Sequence, residues 1–162
     1  MLGTLDVALL RQLRTRGHAP AVEAAMTHLT RLGEHGLLWY GVAGAGAVVD
    51  GARRPVYLRA MRVVLAAYVA NTAMKLVVGR ARPALADLPA LGPRTVSGLA
   101  YPSAHAAMSF GAAGALRGVL PAPPLYLLAA AMALSRPYLG HHYPSDVVAG
   151  ALLGDAVGKL VP

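Results

Sequence analysis

Three short stretches hold the groups best suited to acid–base or nucleophilic chemistry: KLVVGRARP (Lys75–Pro83), YPSAH (Tyr101–His105) and SRPYLGHHYPSDVVAG (Ser135–Gly150). In the third, Arg136 precedes Pro137, which predicts that a helix ends there. Pro144 suits a first helical turn and puts Asp146 where a carboxylate offsets the helix dipole. His142 stands four residues before that carboxylate. A carboxylate holding one imidazole nitrogen leaves the other as a lone-pair nucleophile. In the second stretch Pro102 again starts a helix, so the N–H groups of Ser103 and Ala104 are expected to be free. With the Ser103 hydroxyl they form an anion site, and His105 follows one residue further in. In the first, Lys75 and Arg82 are seven residues apart. On a helix that spacing puts them within about 20° of one another. Asn71 adds polarity one turn before Lys75.

Singly, each stretch has a plain reading: snorkelling cations at a helix end, a Ser/Pro helix start, a capping aspartate beside a loop histidine. Jointly they supply three cations, a hydroxyl, helix N-terminal amides, two histidines and a carboxylate. Cations with amides match a phosphate dianion or its transition state. The histidines offer a nucleophile and a proton donor. One aspartate is too few carboxylates for a magnesium or two-metal centre, so the chemistry is expected to run without metal or cofactor. His141 is read as a bystander.

The elements that position these groups are apolar. The chain has 162 residues, 56% hydrophobic and 14% charged, with 15 Lys+Arg against 7 Asp+Glu and a net charge of +8. A soluble domain carries about 25% charged residues, so the composition argues for membrane embedding. The basic residues sit at the ends of apolar runs, which fits anionic lipid headgroups and not nucleic acid. Without cysteine there is no disulfide or thiolate. Arg11, Arg14 and Arg16 follow the first apolar stretch instead of preceding it, unlike a signal peptide. Five apolar segments, roughly 36–49, 55–78, 102–120, 122–134 and 147–161, are read as spans, several shorter than the ~20 residues usual for a helix. Trp39 and several tyrosines near segment ends fit an interfacial belt, and the many glycines and alanines allow close helix approach. Residues 5–32 carry helical apolar stripes and read as two amphipathic helices, at the bilayer surface or against the bundle. The stretch 80–101, with Pro83, Asp87, Pro89, Pro93 and Arg94, is irregular and long enough to be functional. The expectation is an all-α integral membrane bundle of about five spanning helices. Residues 1–34 form its amphipathic N-terminus and 35–162 its catalytic part, a single domain with the polar loops gathered at one membrane face.

At these residues the sequence resembles the type 2 phosphatidic acid phosphatase superfamily, the lipid phosphate phosphatases. Lys75 with six residues before Arg82-Pro83, then Pro102-Ser103-x-His105, then Ser135-Arg136 with five residues before His142 and three more before Asp146 match its tripartite motif. The resemblance implies that His142 forms a phosphohistidine, Asp146 orients it, and His105 protonates the leaving oxygen. It implies phosphate binding by Lys75, Arg82, Ser103, Arg136 and the amide of Ala104. Ala104 stands where the family usually has glycine, which adds a methyl beside the phosphate. Vanadium haloperoxidases look similar at the same residues but are larger soluble proteins, which the apolar runs oppose. A membrane transporter or scaffold with a degenerate anion site is opposed by the intact His142 and Asp146. The implied partners are a lipid phosphate substrate and membrane lipids. The substrate stays open among phosphatidic acid, phosphatidylglycerol phosphate, undecaprenyl diphosphate and polyprenyl-linked sugar phosphates. The Ala/Gly/Arg/Leu bias points to a GC-rich bacterium, and by analogy with short members of the family the resemblance implies an envelope polyprenyl lipid such as decaprenylphosphoryl-5-phosphoribose as the substrate and the bacterial inner membrane as the location. Oligomeric state and sidedness are not readable.

Overall fold

The computed structural model describes residues 2–91 and 98–162; Pro93 and Arg94 lie outside them. The chain forms helices α1 (Leu2–Thr15), α2 (Pro20–Leu32), α3 (Leu37–Val49), α4 (Arg54–Val78), α5 (Ala104–Leu116), α6 (Ala122–Tyr138) and α7 (Pro144–Leu160). Proline occupies the first turn of α2, α4, α6 and α7, where its missing N–H leaves no bond unmade. Gly79 stops α4 in the left-handed region, φ 66°, its N–H on the Lys75 carbonyl. Beyond it the chain is extended, with an antiparallel bridge between Ala81 and Leu99.

The buried α5 is the centre of the bundle and packs on α7, α4, α6 and α3. Small residues make this possible. A Cβ on Gly154 would sit 2.1 Å from the Ala107 carbonyl oxygen, and one on Gly150 2.4 Å from that of Ser103. Dispersion contact and backbone approach here take the place of large side chains. The main core joins Val63, Val64 and Ala67 of α4 to Met108, Ala112 and Leu116 of α5. At the far end Arg59 donates to the carbonyls of Gly158 and Val161, satisfying the last turn of α7 with a cation. Outward faces of α3, α4, α6 and α7 stay apolar, with Val48, Val77, Leu127 and Leu152 exposed.

Several expectations need correction. Trp39 is not interfacial: it is 1% exposed, and its indole donates to the Ser109 hydroxyl at 2.9 Å. Tyr57 is buried with it, filling the space that Gly46 leaves open. Helix α6 does not end at Arg136. It runs through Pro137 to Tyr138, because Leu139 still donates to Ser135 and holds the last turn together. Among the described residues, only Gly51–Val78 is a helix both long and apolar enough to cross a membrane. The 13 residues of α3 or α5 rise roughly 20 Å at 1.5 Å each. The amphipathic pair does pack against the bundle, α1 on α6 and α7 and α2 on α6, with Leu10 fully buried.

Gly154→Ala should lower the melting temperature in detergent by several degrees, since the clash is with backbone and cannot be relieved by a rotamer change. Overpacking of this kind costs about 1–3 kcal/mol. Gly41, with nothing within 4 Å, should accept alanine without loss. Equal melting temperatures for the two variants would contradict this account of the α5–α7 contact.

Candidate active site

All three motifs meet at one end of the bundle, formed by the N-termini of α5 and α7, the C-termini of α4 and α6, and helices α1 and α2. Gly140, with φ 81°, turns the chain out of α6 into His141 and His142. Tyr143 caps α7, and its N–H donates to Asp146 Oδ2 at 2.9 Å. Asp146 is fully buried and His142 is 2% exposed, with His142 Nδ1 3.5 Å from Asp146 Oδ2. On the other side of the ring, Arg82 Nη1 donates to His142 Nε2 at 3.0 Å and to the His141 carbonyl at 2.8 Å. An arginine only donates, so Nε2 presents a lone pair and the ring proton belongs on Nδ1, facing Asp146.

The other residues surround this pair. Ser103 is the residue before α5, its side chain fully buried and its hydroxyl without a partner among the described residues. Its N–H, which the sequence reading expected to be free, donates instead to the Asp146 carbonyl at 2.8 Å. That bond, with Gly150 pressed on the Ser103 carbonyl, locks the start of α5 to the first turn of α7. Ala104 is the first residue of α5, where helix geometry leaves its amide without an intrahelical acceptor. Arg136 is buried, donates through Nη1 to the Thr30 hydroxyl, and has Nε without a partner among the described residues. His105 Nε2 lies 2.9 Å from the Thr30 carbonyl, so it donates there. Lys75 Nζ donates to the carbonyls of Leu99 and Ala100 at 3.1 and 3.2 Å. Asn71 is buried and donates to the Pro102 carbonyl at 2.9 Å.

Lys75 and Arg82 converge, but not along one helical face as the spacing suggested. Helix α4 ends at Val78, and Arg82 arrives on extended chain. In extended chain, residues two apart share a side, which places Arg80 with Arg82. Sequence reasoning passed over Arg80 although it lies within the first motif. Its Nη1 donates to Asp146 Oδ1 at 2.7 Å and to the Ser145 hydroxyl at 2.8 Å, and its Nη2 to Asp6 Oδ2 at 2.8 Å. Asp6 and Thr30 were also missed. No local spacing points from α1 or α2 to partners so distant in the chain.

Burial, then the charges of Arg136, Arg82, Lys75 and His105, hold His142 well below the ordinary imidazole value of 6.5. Burial with Arg136 and Arg82 brings His141 down to about 4. Burial also draws Arg82 below its usual value, with Asp146 acting the other way. Burial is the largest single influence on both Asp6 and Arg80 and opposes their charges, but their hydrogen-bonded and charged partners together outweigh it. Ser145 and then Arg80 leave Asp6 below the carboxylate norm, and Asp6 and then Asp146 leave Arg80 above the arginine norm. The site is therefore cationic around a neutral imidazole, an arrangement suited to receiving a phosphate dianion next to a nitrogen lone pair. Among the described residues no cluster of three or more His, Cys, Asp or Glu is placed to hold a metal ion.

Because both loop histidines titrate lower in the folded chain than at 6.5, the unfolded chain takes up protons first as the pH falls. Stability present above pH 6.5 is thus lost toward about 4. The melting temperature in detergent should drop across that window, and His141→Asn should flatten the drop. A melting temperature independent of pH there would contradict the burial of neutral imidazoles.

The family model described as "PAP2 superfamily" matches residues 57–162. A decaprenylphosphoryl-5-phosphoribose phosphatase of Mycolicibacterium smegmatis is 40% identical over 145 residues, covering 90% of this chain and 80% of the relative. The crystal structure of Aquifex aeolicus LpxE superposes with a TM-score of 0.82 at 24% identity, over 97% of this chain and 94% of that one. A transmembrane PAP2-type phosphatidylglycerolphosphate phosphatase from Bacillus subtilis gives 0.79 at 24% identity, over 99% and 84%.

Proposed function

The chain belongs to the PAP2 superfamily and is a lipid phosphatase of that type, and on that footing we propose that it hydrolyses the terminal phosphomonoester of a polyprenyl-linked sugar phosphate, with His142 as nucleophile. The observation that carries this reading is the arginine-capped lone pair on His142 Nε2 with Asp146 behind Nδ1. The 40%-identical relative, named for decaprenylphosphoryl-5-phosphoribose, supports the substrate class.

In this reading the phosphate enters between Lys75, Arg82, Ser103, Arg136 and the amide of Ala104. The unpartnered Ser103 hydroxyl and Arg136 Nε acquire acceptors, and Arg82 shifts from His142 onto a phosphate oxygen. His142 Nε2 attacks phosphorus, the bond from phosphorus to the leaving oxygen breaks, and His105, which takes up a proton with the bound phosphate dianion and so enters the step as imidazolium, gives that oxygen a proton. His105 first exchanges its Thr30 acceptor for the leaving oxygen. The phosphorylated imidazole keeps its Nδ1 proton, directed at Asp146, whose carboxylate stabilises the positive charge that develops on the ring. Water then attacks the phosphohistidine and gives its proton to His105, and the N–P bond breaks to release inorganic phosphate and restore both histidines. Every charge change is met by a side chain, so the reaction needs no metal ion.

The whole chain, residues 1–162, acts as one catalytic unit in this proposal. Helices α3 to α7 span the bacterial inner membrane, the shorter ones helped by tilt, flanking residues or local thinning. Their outward apolar faces are what lipid would cover. The polyprenyl tail stays in hydrocarbon while the phosphate reaches the bundle end, so tail binding positions the reacting group.

Purified protein should release phosphate from farnesylphosphoryl-5-phosphoribose in micelles with kcat/KM at least ten-fold above that for ribose 5-phosphate or phosphatidic acid. His142→Ala should abolish turnover. His141→Ala should keep most of it, because the contact with Arg82 uses the backbone carbonyl. Equal cleavage of the free headgroup would contradict the lipid substrate, and equal losses in both histidine variants would contradict the nucleophile.

A further inference from the structure

Helix α1 lies upstream of the residues that match the family model, 57–162, yet one of its side chains reaches the innermost part of the site. Asp6 is 5% exposed. Its Oδ1 accepts the Ser145 N–H at 3.0 Å; its Oδ2 accepts the Ser145 hydroxyl at 2.5 Å and Arg80 Nη2 at 2.8 Å. Arg80 in turn holds Asp146 Oδ1 at 2.7 Å and lies over the Tyr143 ring, 4.2 Å from its centroid. The chain of contacts runs from Asp6 through Arg80 to Asp146 and ends at His142.

We propose that Asp6 is a positioning residue for phosphoryl transfer: by sharing Arg80 with Asp146 and holding Ser145, it fixes the carboxylate behind His142 and sets how much of Arg80's charge that carboxylate feels. The inference rests on the assignment of His142 and Asp146 made under the proposed function. The geometry separates two tasks. Oδ2 of Asp146 faces His142 and the Tyr143 N–H, whereas Oδ1 is given to Arg80. An Arg80 without a second carboxylate would place its full charge on Asp146 and weaken the hold of that carboxylate on the imidazole proton. With Asp6 present, the charge of Arg80 is divided between two acids. The remaining cations, Lys75, Arg82 and Arg136, are then left to the phosphate.

The pair makes opposed demands on the His142 imidazole. The groups acting on it are Lys75 from α4, Arg82 from the extended segment, His105 from α5, Arg136 from α6 and Asp146 from α7, with His141 beside it in the chain; Arg80, and through it Asp6 of α1, act by way of Asp146. Removing the negative charge of Asp6 makes this field more positive and disfavours the imidazolium. Removing the positive charge of Arg80 does the reverse. A strut that merely held α1 in place would move both variants alike.

The test is a set of kcat/KM pH profiles on the full chain in micelles, with farnesylphosphoryl-5-phosphoribose as probe. Asp6→Asn should lower kcat at least ten-fold with KM within about two-fold, and move the acid limb to lower pH. Arg80→Gln should also lower kcat but move the acid limb to higher pH. Asp6→Glu should recover most of the kcat lost in Asp6→Asn. Arg11→Ala breaks the exposed bridge from α1 to Asp87 without touching the site, and should match the wild type. Acid limbs moving in the same direction in Asp6→Asn and Arg80→Gln, or a loss in Arg11→Ala equal to that in Asp6→Asn, would overturn the proposal. Leaving a buried charge unpaired can prevent folding. If Asp6→Asn does not accumulate, Arg80→Gln decides alone, and an acid limb unmoved or moved to lower pH refutes the relay. Failure here with His142→Ala still inactive would sink only the role of Asp6; an active His142→Ala would sink the underlying assignment.

Discussion

The site depends on one buried carboxylate satisfying several donors at once. Asp146 caps its own helix through the Tyr143 N–H, holds Arg80 through Oδ1, and stands behind the His142 ring through Oδ2, while its backbone carbonyl takes the Ser103 N–H. A carboxylate this deep is tolerable only when its lone pairs are paired. Each partner therefore constrains the others. Move the first turn of α7 and His142, Asp146 and Ser103 all shift together.

That constraint explains the packing as well as the chemistry. The Ser103–Asp146 bond needs the start of α5 to lie against α7 at backbone distance, and Gly150 and Gly154 are where the two helices meet most closely. The central helix is accordingly rich in alanine and glycine, and the large side chains, Trp39 and Leu116 among them, fill the space toward α3 and α4. Around the carboxylate the balance is cationic. Lys75, Arg82 and Arg136 all act on the same imidazole, and a doubly charged anion placed among them would relieve their mutual repulsion. A site short of negative charge, with a neutral nitrogen at its centre, is organised for a phosphate ester before one arrives.

Much of this was legible in the sequence because the candidate groups sit at helix starts. Pro144, in the first turn of α7, and Asp146 place His142, whereas Pro102, read as a first-turn residue, lies just outside α5, which Ser103 precedes and Ala104 begins. The convergence of Lys75 and Arg82 was also readable, though for the wrong reason: Gly79 ends α4 before Arg82, and extended chain carries the arginine in. The same misreading hid Arg80, whose alternation with Arg82 appears only once the segment is known to be extended. Trp39 escaped because an indole near a segment end looks interfacial until a buried serine one turn into α5 is seen to accept its N–H. Asp6 and Thr30 are contacts between elements far apart in the chain, and no periodicity or motif encodes them. The apolar segments gave the five bundle helices, but their lengths against a bilayer were not fixed by composition.

The central claim is a covalent phosphate on His142, and trapping it is the most direct test. Substrate carrying 32P in its terminal phosphate, mixed with stoichiometric enzyme and quenched in base within the first turnover, should leave label on the peptide containing His142. That label should be stable to alkali and lost in acid, and it should vanish in His142→Ala while persisting in His141→Ala. Phosphate release in a full first turnover with no labelled protein at any time, or acid-stable label on another residue, would contradict the account.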